Sequence, residues 1–318
     1  MNDFLNVFSI GLFQNTLRAA TPVVLAGLGV LMTDHVGIMN IGADGMMLCG
    51  AFFAVLGSCF LGGWIGGLAL ALVIGLLLGA FFGLFVIKFK SDEYIIGVAL
   101  NIFAGGLTVF LLRTIFGAAG AFSGTDLLPI HPLPTIQIPL IRDIPVLGAL
   151  LSGNTLLVYV SWLMVILSYV IIYRTPLGFW MRAAGEHPEA LRAAGKSPER
   201  MKYLSSMLCG LFSGLAGAHL SLGYLTMFTE NMSASRGFIA VACVIFGGSN
   251  PMLMFLAALL FGFIDALGLR VQSFNISSNL TSLAPYLATV LMMVWVVWRK
   301  ERRQWRQAKQ WRQSQQDQ

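Results

Sequence analysis

The sequence predicts an all-α polytopic membrane protein, and three observations lead to this fold class. Of the 318 residues, 57% are hydrophobic and only 11% are charged, whereas soluble domains carry about 25% charged residues. The mean hydropathy is +0.79. The apolar residues fall in long continuous runs, unlike the alternating pattern of a membrane β-barrel. With about 20 residues per crossing, the chain has room for about eight to ten transmembrane helices.

Nine apolar runs mark the candidate spans, and two places depart from an uninterrupted crossing. Residues 33–45 are rich in glycine and hold two acids, and the run 237–249 is too short for a full span. We therefore expect one or two broken or re-entrant helices. One such place falls in each half, which suggests an inverted repeat. The nine runs are 17–32, 37–61, 64–87, 94–112, 155–173, 204–225, 237–249, 252–270 and 283–298.

The basic residues predict the orientation of the chain. Thirteen of the twenty lie in segments 174–203 and 299–318, and the positive-inside rule places both segments in the cytosol. Residues 114–153, with Arg142 as their one basic residue, are then external. The sequence thus predicts a transmembrane domain, 1–298, and a basic cytosolic tail, 299–318, in a multi-pass membrane protein. These loops account for the net charge of +6, so we expect no nucleic-acid partner.

Residues 174–203, here called the polar segment, carry the signals of two short helix starts. Pro188 suits the first turn of a helix that Gly195 would end. Ser197 resembles an N-cap followed by Pro198, and that second helix should continue into the span from Leu204. The segment therefore reads as a folded surface outside the membrane.

The triplet Gly195-Lys196-Ser197 resembles the end of a phosphate-binding P-loop, but the rest of that motif is missing. Ala190 stands where the P-loop needs glycine, and no apolar strand precedes the triplet. We therefore expect the chain to bind no nucleotide and no other cofactor. The four histidines share no spacing typical of metal ligands, so no metal site is expected.

Glycines recur at helical spacing in two spans. Small residues at such spacing let helix backbones approach closely. Packing within the chain is the favoured interpretation, and a dimer interface is the alternative. The residues are Gly75, Gly79 and Gly83 in one span and Gly210, Gly214 and Gly217 in another.

Polar and ionisable residues at membrane depth are candidates for function, because charges there are costly. One set surrounds the first interruption and the other precedes the short run, and each could line a polar translocation path or brace a broken helix. A structural ion pair between Asp265 and Arg270 is a separate hypothesis. The candidate path residues are Asp34, Asn40, Asp44, Ser233, Ser235 and Arg236.

Three stretches of the chain resemble one family. Residues 36–52 (VGIMNIGADGMMLCGAF) and 231–251 (NMSASRGFIAVACVIFGGSNP) resemble the signatures of branched-chain-type ABC importer permeases, in the branch that serves nucleosides with basic-membrane-protein-type binding lipoproteins. Glu189-Ala190, with Gly195 after them, resembles the EAA-type loop that docks on the ATPase in ABC importers. Leu191 departs from that loop, where alanine is usual, and Asp44 departs from the branch, where glutamate is more frequent.

The resemblance implies a permease subunit of the bacterial plasma (inner) membrane that forms the path for a small polar solute, and nucleosides are the favoured solute. Branched-chain amino acids or sugars are the alternatives, and an ion-coupled secondary transporter is a less favoured class. Implied partners are ABC ATPase subunits, a second related permease subunit, an external substrate-binding protein and the lipid bilayer; ATP hydrolysis would belong to the separate ATPase. The resemblance places the ATPase-coupling loop at Gly185, Glu186, Pro188, Glu189, Ala190, Gly195, Ser197 and Arg200.

Overall fold

The computed structural model describes residues 10–137 and 152–271. Within them, seven helices are long and apolar enough to cross a membrane, which confirms the predicted all-α fold class. The last apolar run, 283–298, and the tail, 299–318, lie outside the described residues, so the total of eight to ten spans stays a prediction. The helices are α1 (Ile10–Asp34), α2 (Ala43–Phe60), α3 (Trp64–Gly83), α4 (Glu93–Phe116), α5 (Leu156–Arg174), α6 (Pro176–Glu186), α7 (Pro188–Ala193), α8 (Pro198–Ala218), α9 (Arg236–Phe246) and α10 (Pro251–Val271).

Three helices form the interior of the bundle. In the membrane-spanning windows of α1, α2 and α8, 78–89% of the residues are buried, against 28–33% in α3, α4, α5 and α10. The latter four therefore surround the first three. A π-helical turn, Leu84–Lys88, prolongs α3, and another, His219–Tyr224, prolongs α8.

Five of the six strip glycines form the seam between α3 and α8, and the sixth, Gly217, packs on α2. A Cβ atom built on Gly210 would overlap the carbonyl oxygen of Gly75, and one built on Gly79 would overlap that of Ser206. Only glycine allows the two backbones to come this close. Because lipid gives no hydrophobic drive for helix association, this close packing is what holds the two helices together. This confirms the interpretation of the strips as packing within the chain.

The polar segment folds as its local signals predict. Pro188 begins α7, and Gly195, with a φ of +76°, follows its end. The Ser197 hydroxyl accepts a hydrogen bond from the backbone N–H of Arg200, 3.3 Å away, and so caps α8. From this cap α8 continues without a break into the membrane.

One helix of the polar segment was not predicted. Helix α6 lies between the end of α5 and α7, with Pro176 at its first position. The Thr175 hydroxyl accepts a hydrogen bond from the backbone N–H of Gly178 at 3.4 Å. The Thr-Pro pair is the same kind of start as Ser197-Pro198, so the signal was present in the sequence.

The two ends of the bundle are formed by different segments. The end that holds the polar segment, Lys88 and Lys90 is here called the basic end. At the opposite, far end, β1 (Ala121–Phe122) pairs with β4 (Phe228–Thr229), and β2 (Thr135–Ile136) pairs with β3 (Asn154–Thr155). The far-end segment begins after Phe116, so α4 is longer than the predicted run.

Both predicted interruptions are present, and each is followed by a helix that starts inside the bundle. After α1 ends at the basic end, residues 35–42 are non-helical and lead inward to α2, which runs to the far end. After β4 at the far end, residues 230–235 lead inward to α9, which runs back to the basic end. The run predicted from residue 37 is therefore helical only from Ala43. The opposite directions of α2 and α9 are those that an inverted repeat requires.

Candidate functional site

Asp44 lies where the starts of α2 and α9 meet, and its carboxylate joins them. One oxygen accepts a hydrogen bond from the backbone N–H of Gly237 at 2.9 Å, and the other accepts one from the Ser233 hydroxyl at 3.0 Å. The Asp44 side chain is buried, and Ser233 is fully buried. A carboxylate at a helix start is favourable because the N-terminal end of a helix carries partial positive charge.

Gly237 permits this meeting. A Cβ atom at position 237 would overlap the backbone of Asp44, so a larger residue would force α2 and α9 apart. Sequence reasoning placed Ser233, Ser235 and Arg236 here but omitted Gly237. Ser235 precedes α9 with a φ of +62°, and its side chain makes no capping hydrogen bond.

Two asparagines hold the inward-leading residues 35–42. The Asn40 amide oxygen accepts from the Gly42 N–H at 2.9 Å. The Asn101 side chain on α4 accepts from the Gly45 N–H at 2.7 Å and donates to the carbonyl of Ile41 at 3.0 Å. Sequence reasoning missed Asn101, although a lone amide within an apolar run is a usable signal.

Arg236 extends the polar centre toward α10. Its guanidinium lies 3.2 Å from the Asp265 carboxylate and 3.5 Å from the Ser233 carbonyl oxygen. The predicted pairing of Asp265 with Arg270 therefore named the wrong partner. The pair joins the start of α9 to α10, so this start has polar attachments to both α2 and α10.

Five of the six candidate path residues lie together in the structure, and the sixth lies apart. Asn40, Asp44, Ser233, Ser235 and Arg236 lie at or next to the meeting point of α2 and α9. Asp34 lies apart, at the basic end, where its carboxylate accepts a hydrogen bond from the Ser249 hydroxyl. Asp34 also borders a cavity of about 430 Å³ whose walls include Tyr173 and Arg182.

Ionic and cation–π contacts connect the helices of the polar segment. Arg192 on α7 donates to Glu189, at 2.8 Å, and to Glu199 on α8. The hydrogen bond from Arg192 is the main reason why the pKa of Glu199 falls to about 2, so this carboxylate stays charged at physiological pH. Lys196 lies over the Trp180 ring, 4.5 Å from its centre, which attaches the turn to α6.

The residues of the predicted coupling loop fall into two groups. Glu189, Ala190 and Arg200 are exposed, while Leu191, the departure from the family pattern, is the buried residue that anchors α7. Gly185, at the end of α6, instead packs on the non-helical residues 35–37, since a Cβ there would meet the His35 carbonyl oxygen at 2.5 Å. The first three residues form an exposed, mainly charged surface, whereas Gly185 contacts the first interruption.

Comparison with known proteins assigns the class: the chain is a membrane-spanning permease of the ABC transporter type. The family described as "Branched-chain amino acid transport system / permease component" matches residues 12–297, and the chain belongs to that family. The chain is 35% identical over 312 residues to the guanosine ABC transporter permease protein NupQ of Bacillus subtilis, covering 94% of this chain and 95% of the relative.

Two further relatives are similar to this chain over most of its length. A putative glucose ABC transporter permease protein of Haloferax volcanii, TsgC13, is 33% identical, with 92% of this chain and 94% of the relative covered. NupP, a second guanosine ABC transporter permease protein of Bacillus subtilis, is 28% identical, with 82% and 73% covered. No solved structure gives a significant match to the chain.

Proposed function

We propose that this chain forms the translocation path of an ATP-driven importer for nucleosides. The observation that carries the proposal is the likeness along nearly the whole chain to the guanosine permease protein NupQ. The buried polar centre of Asp44, Ser233 and Arg236 supports it, because a polar solute needs hydrogen-bonding groups at membrane depth. In this proposal the basic end faces the cytosol of a bacterial cell.

Sugars are the second candidate substrate class. The likeness to a putative glucose permease protein is nearly as high as that to NupQ. Nucleosides carry ribose hydroxyls and glucose carries similar hydroxyls, so solutes of either class could form hydrogen bonds along a polar path. The measurement that separates them is ligand-induced stabilisation of the cognate external binding protein, which should respond to a nucleoside and not to glucose.

One structural feature and two of the relatives support the proposed partners. The exposed face of α7, with Ala190 and Ala193, offers close backbone approach to a groove in an ATPase subunit. The matches to both NupQ and NupP, two permease proteins of one organism, favour a second, related permease as the partner in the membrane. An external binding protein would then dock at the far end.

Reversing the charge of Glu189 tests the docking surface. Glu189→Lys places a cation beside Arg192, breaks the 2.8 Å ion pair and repels that guanidinium. We expect the ATPase subunits to co-purify in reduced amount and uptake of the nucleoside to fall about tenfold, which corresponds to about 1.4 kcal/mol of lost binding.

Lys90→Glu is the matched control, because it also reverses an exposed charge at the basic end but lies outside the polar segment. Pull-down of the ATPase and radiolabelled uptake are measured for both variants. Full ATPase binding and uptake by Glu189→Lys would show that α7 is not the docking surface.

A further inference from the structure

The end of α6 touches the first interruption by direct backbone contact. A Cβ atom on Gly185 would meet the His35 carbonyl oxygen at 2.5 Å and the Gly37 nitrogen at 3.0 Å. In turn, a Cβ on Gly37 would lie 3.4 Å from the Gly185 Cα. The two backbones are therefore in close contact, and a movement of α6 toward residues 35–37 displaces them, because backbone atoms cannot yield as side chains do.

These residues are tied to the end of α9. Asp34 immediately precedes them, and its carboxylate accepts the hydrogen bond of the Ser249 hydroxyl. Ser249 lies in the short connection between α9 and α10. A movement of residues 34–37 therefore acts on the basic-end terminus of α9.

Helix α9 is bounded on both sides by strained backbone. Its 11 residues are flanked on both sides by left-handed backbone, with φ of +45° at Ala234 and +62° at Ser235, and +56° at Gly248 and +60° at Ser249. Non-glycine residues rarely adopt this region, and such strain concentrates at switch segments. The start of α9 carries Gly237, which binds Asp44, and Arg236, which binds Asp265.

We propose that α9 is the gating helix of this permease, and that Gly185, Asp34 and Ser249 are positioning residues that transmit the movement of the polar segment to it. The cavity of about 430 Å³ beside Asp34, Arg182 and Ser249 gives these parts room to shift. The inference rests on the proposed ATP-driven function, and it assigns the route by which the ATPase reaches the polar centre around Asp44.

Ser249→Ala tests the connection, since it removes the hydroxyl but keeps the short side chain. In the complete complex with its ATPase and binding protein, we expect ATP hydrolysis within about twofold of the parent. Nucleoside molecules moved per ATP should fall about tenfold, as for the loss of a hydrogen bond to a charged group. Ser205→Ala on α8 is the matched control, because the Ser205 hydroxyl is buried and makes no hydrogen bond among the described residues.

A pair of introduced cysteines distinguishes loss of the connection between Asp34 and Ser249 from general damage to the protein. In Asp34→Cys/Ser249→Cys, the reduced protein should behave as Ser249→Ala, and oxidation should restore transport per ATP because a covalent bond replaces the lost one. Single-cysteine variants control for the native thiols Cys49, Cys59, Cys209 and Cys243. Disulfide formation is followed by the mobility of the unreduced protein.

The possible outcomes distinguish failure of the proposed route from failure of the proposed function. An unchanged ratio of transport to ATP in Ser249→Ala overturns the proposed route, and so does a disulfide that forms without raising the ratio. If the unaltered complex moves nucleoside without consuming ATP, the proposed function itself fails, and the route fails with it.

Discussion

Asp44→Ala is expected to lower both the stability and the transport activity of the protein strongly. The change removes the acceptor of two buried hydrogen bonds, from the Gly237 N–H and the Ser233 hydroxyl. Hydrogen bonds to charged groups contribute about 1.5–3 kcal/mol each, so a loss of about 3 kcal/mol is expected. Thermal unfolding in detergent and nucleoside uptake measure the two effects.

Asp44→Asn is the matched variant, since its amide oxygen can still accept from the Gly237 N–H. If Asp44 braces the meeting point of α2 and α9, Asn should keep most of the stability and a substantial part of the uptake. Complete loss of uptake in a well-folded Asp44→Asn protein would contradict the bracing role. It would instead favour an ion-coupled mechanism in which the charge itself is used.

Gly210→Leu is expected to have the second large effect, on folding. Even a Cβ at this position overlaps the Gly75 carbonyl oxygen, so the leucine must separate α3 from α8. Overpacking of a close-packed interior costs about 1–3 kcal/mol and more where backbone blocks the way. The yield of monodisperse protein and its melting temperature should both fall.

The control is Gly105→Leu on α4, where a Cβ would meet no atom within 4 Å among the described residues. This variant introduces the same side chain and the same gain in helix propensity without the collision. Equal melting temperatures for the two leucine variants would contradict the interpretation of the α3–α8 seam as an obligatory close contact.

The features predicted correctly from sequence depend on neighbouring residues. Pro188, Gly195 and Ser197 each fix a helix boundary by their own backbone chemistry, and the structure places the boundaries of α7 and α8 accordingly. The interruption around Asn40 was likewise visible, because glycines and acids stand there in an otherwise apolar stretch. Such signals need no knowledge of the tertiary arrangement.

The features that were missed depend on residues far apart in sequence. Arg236 and Asp265 are separated by 29 positions, so the nearer Arg270 was the only partner that local spacing could suggest. Asn101 bonds to residues 56 and 60 positions away, and nothing beside it in the chain indicates them. Helix α6 is different: its Thr175-Pro176 start was present and was overlooked.

Helix α8 and its π-helical turn form one continuous helical segment. It runs for 27 residues, Pro198–Tyr224, or about 40 Å, and it reaches from the ion pairs of the polar segment to the far end. There the carbonyl oxygen of Leu222 accepts a hydrogen bond from the Leu133 N–H at 2.9 Å. A tilt of about 5° at one end would displace the other by about 3.5 Å over this length. The two faces of the membrane are thus mechanically linked by one helix, independently of the polar centre between them.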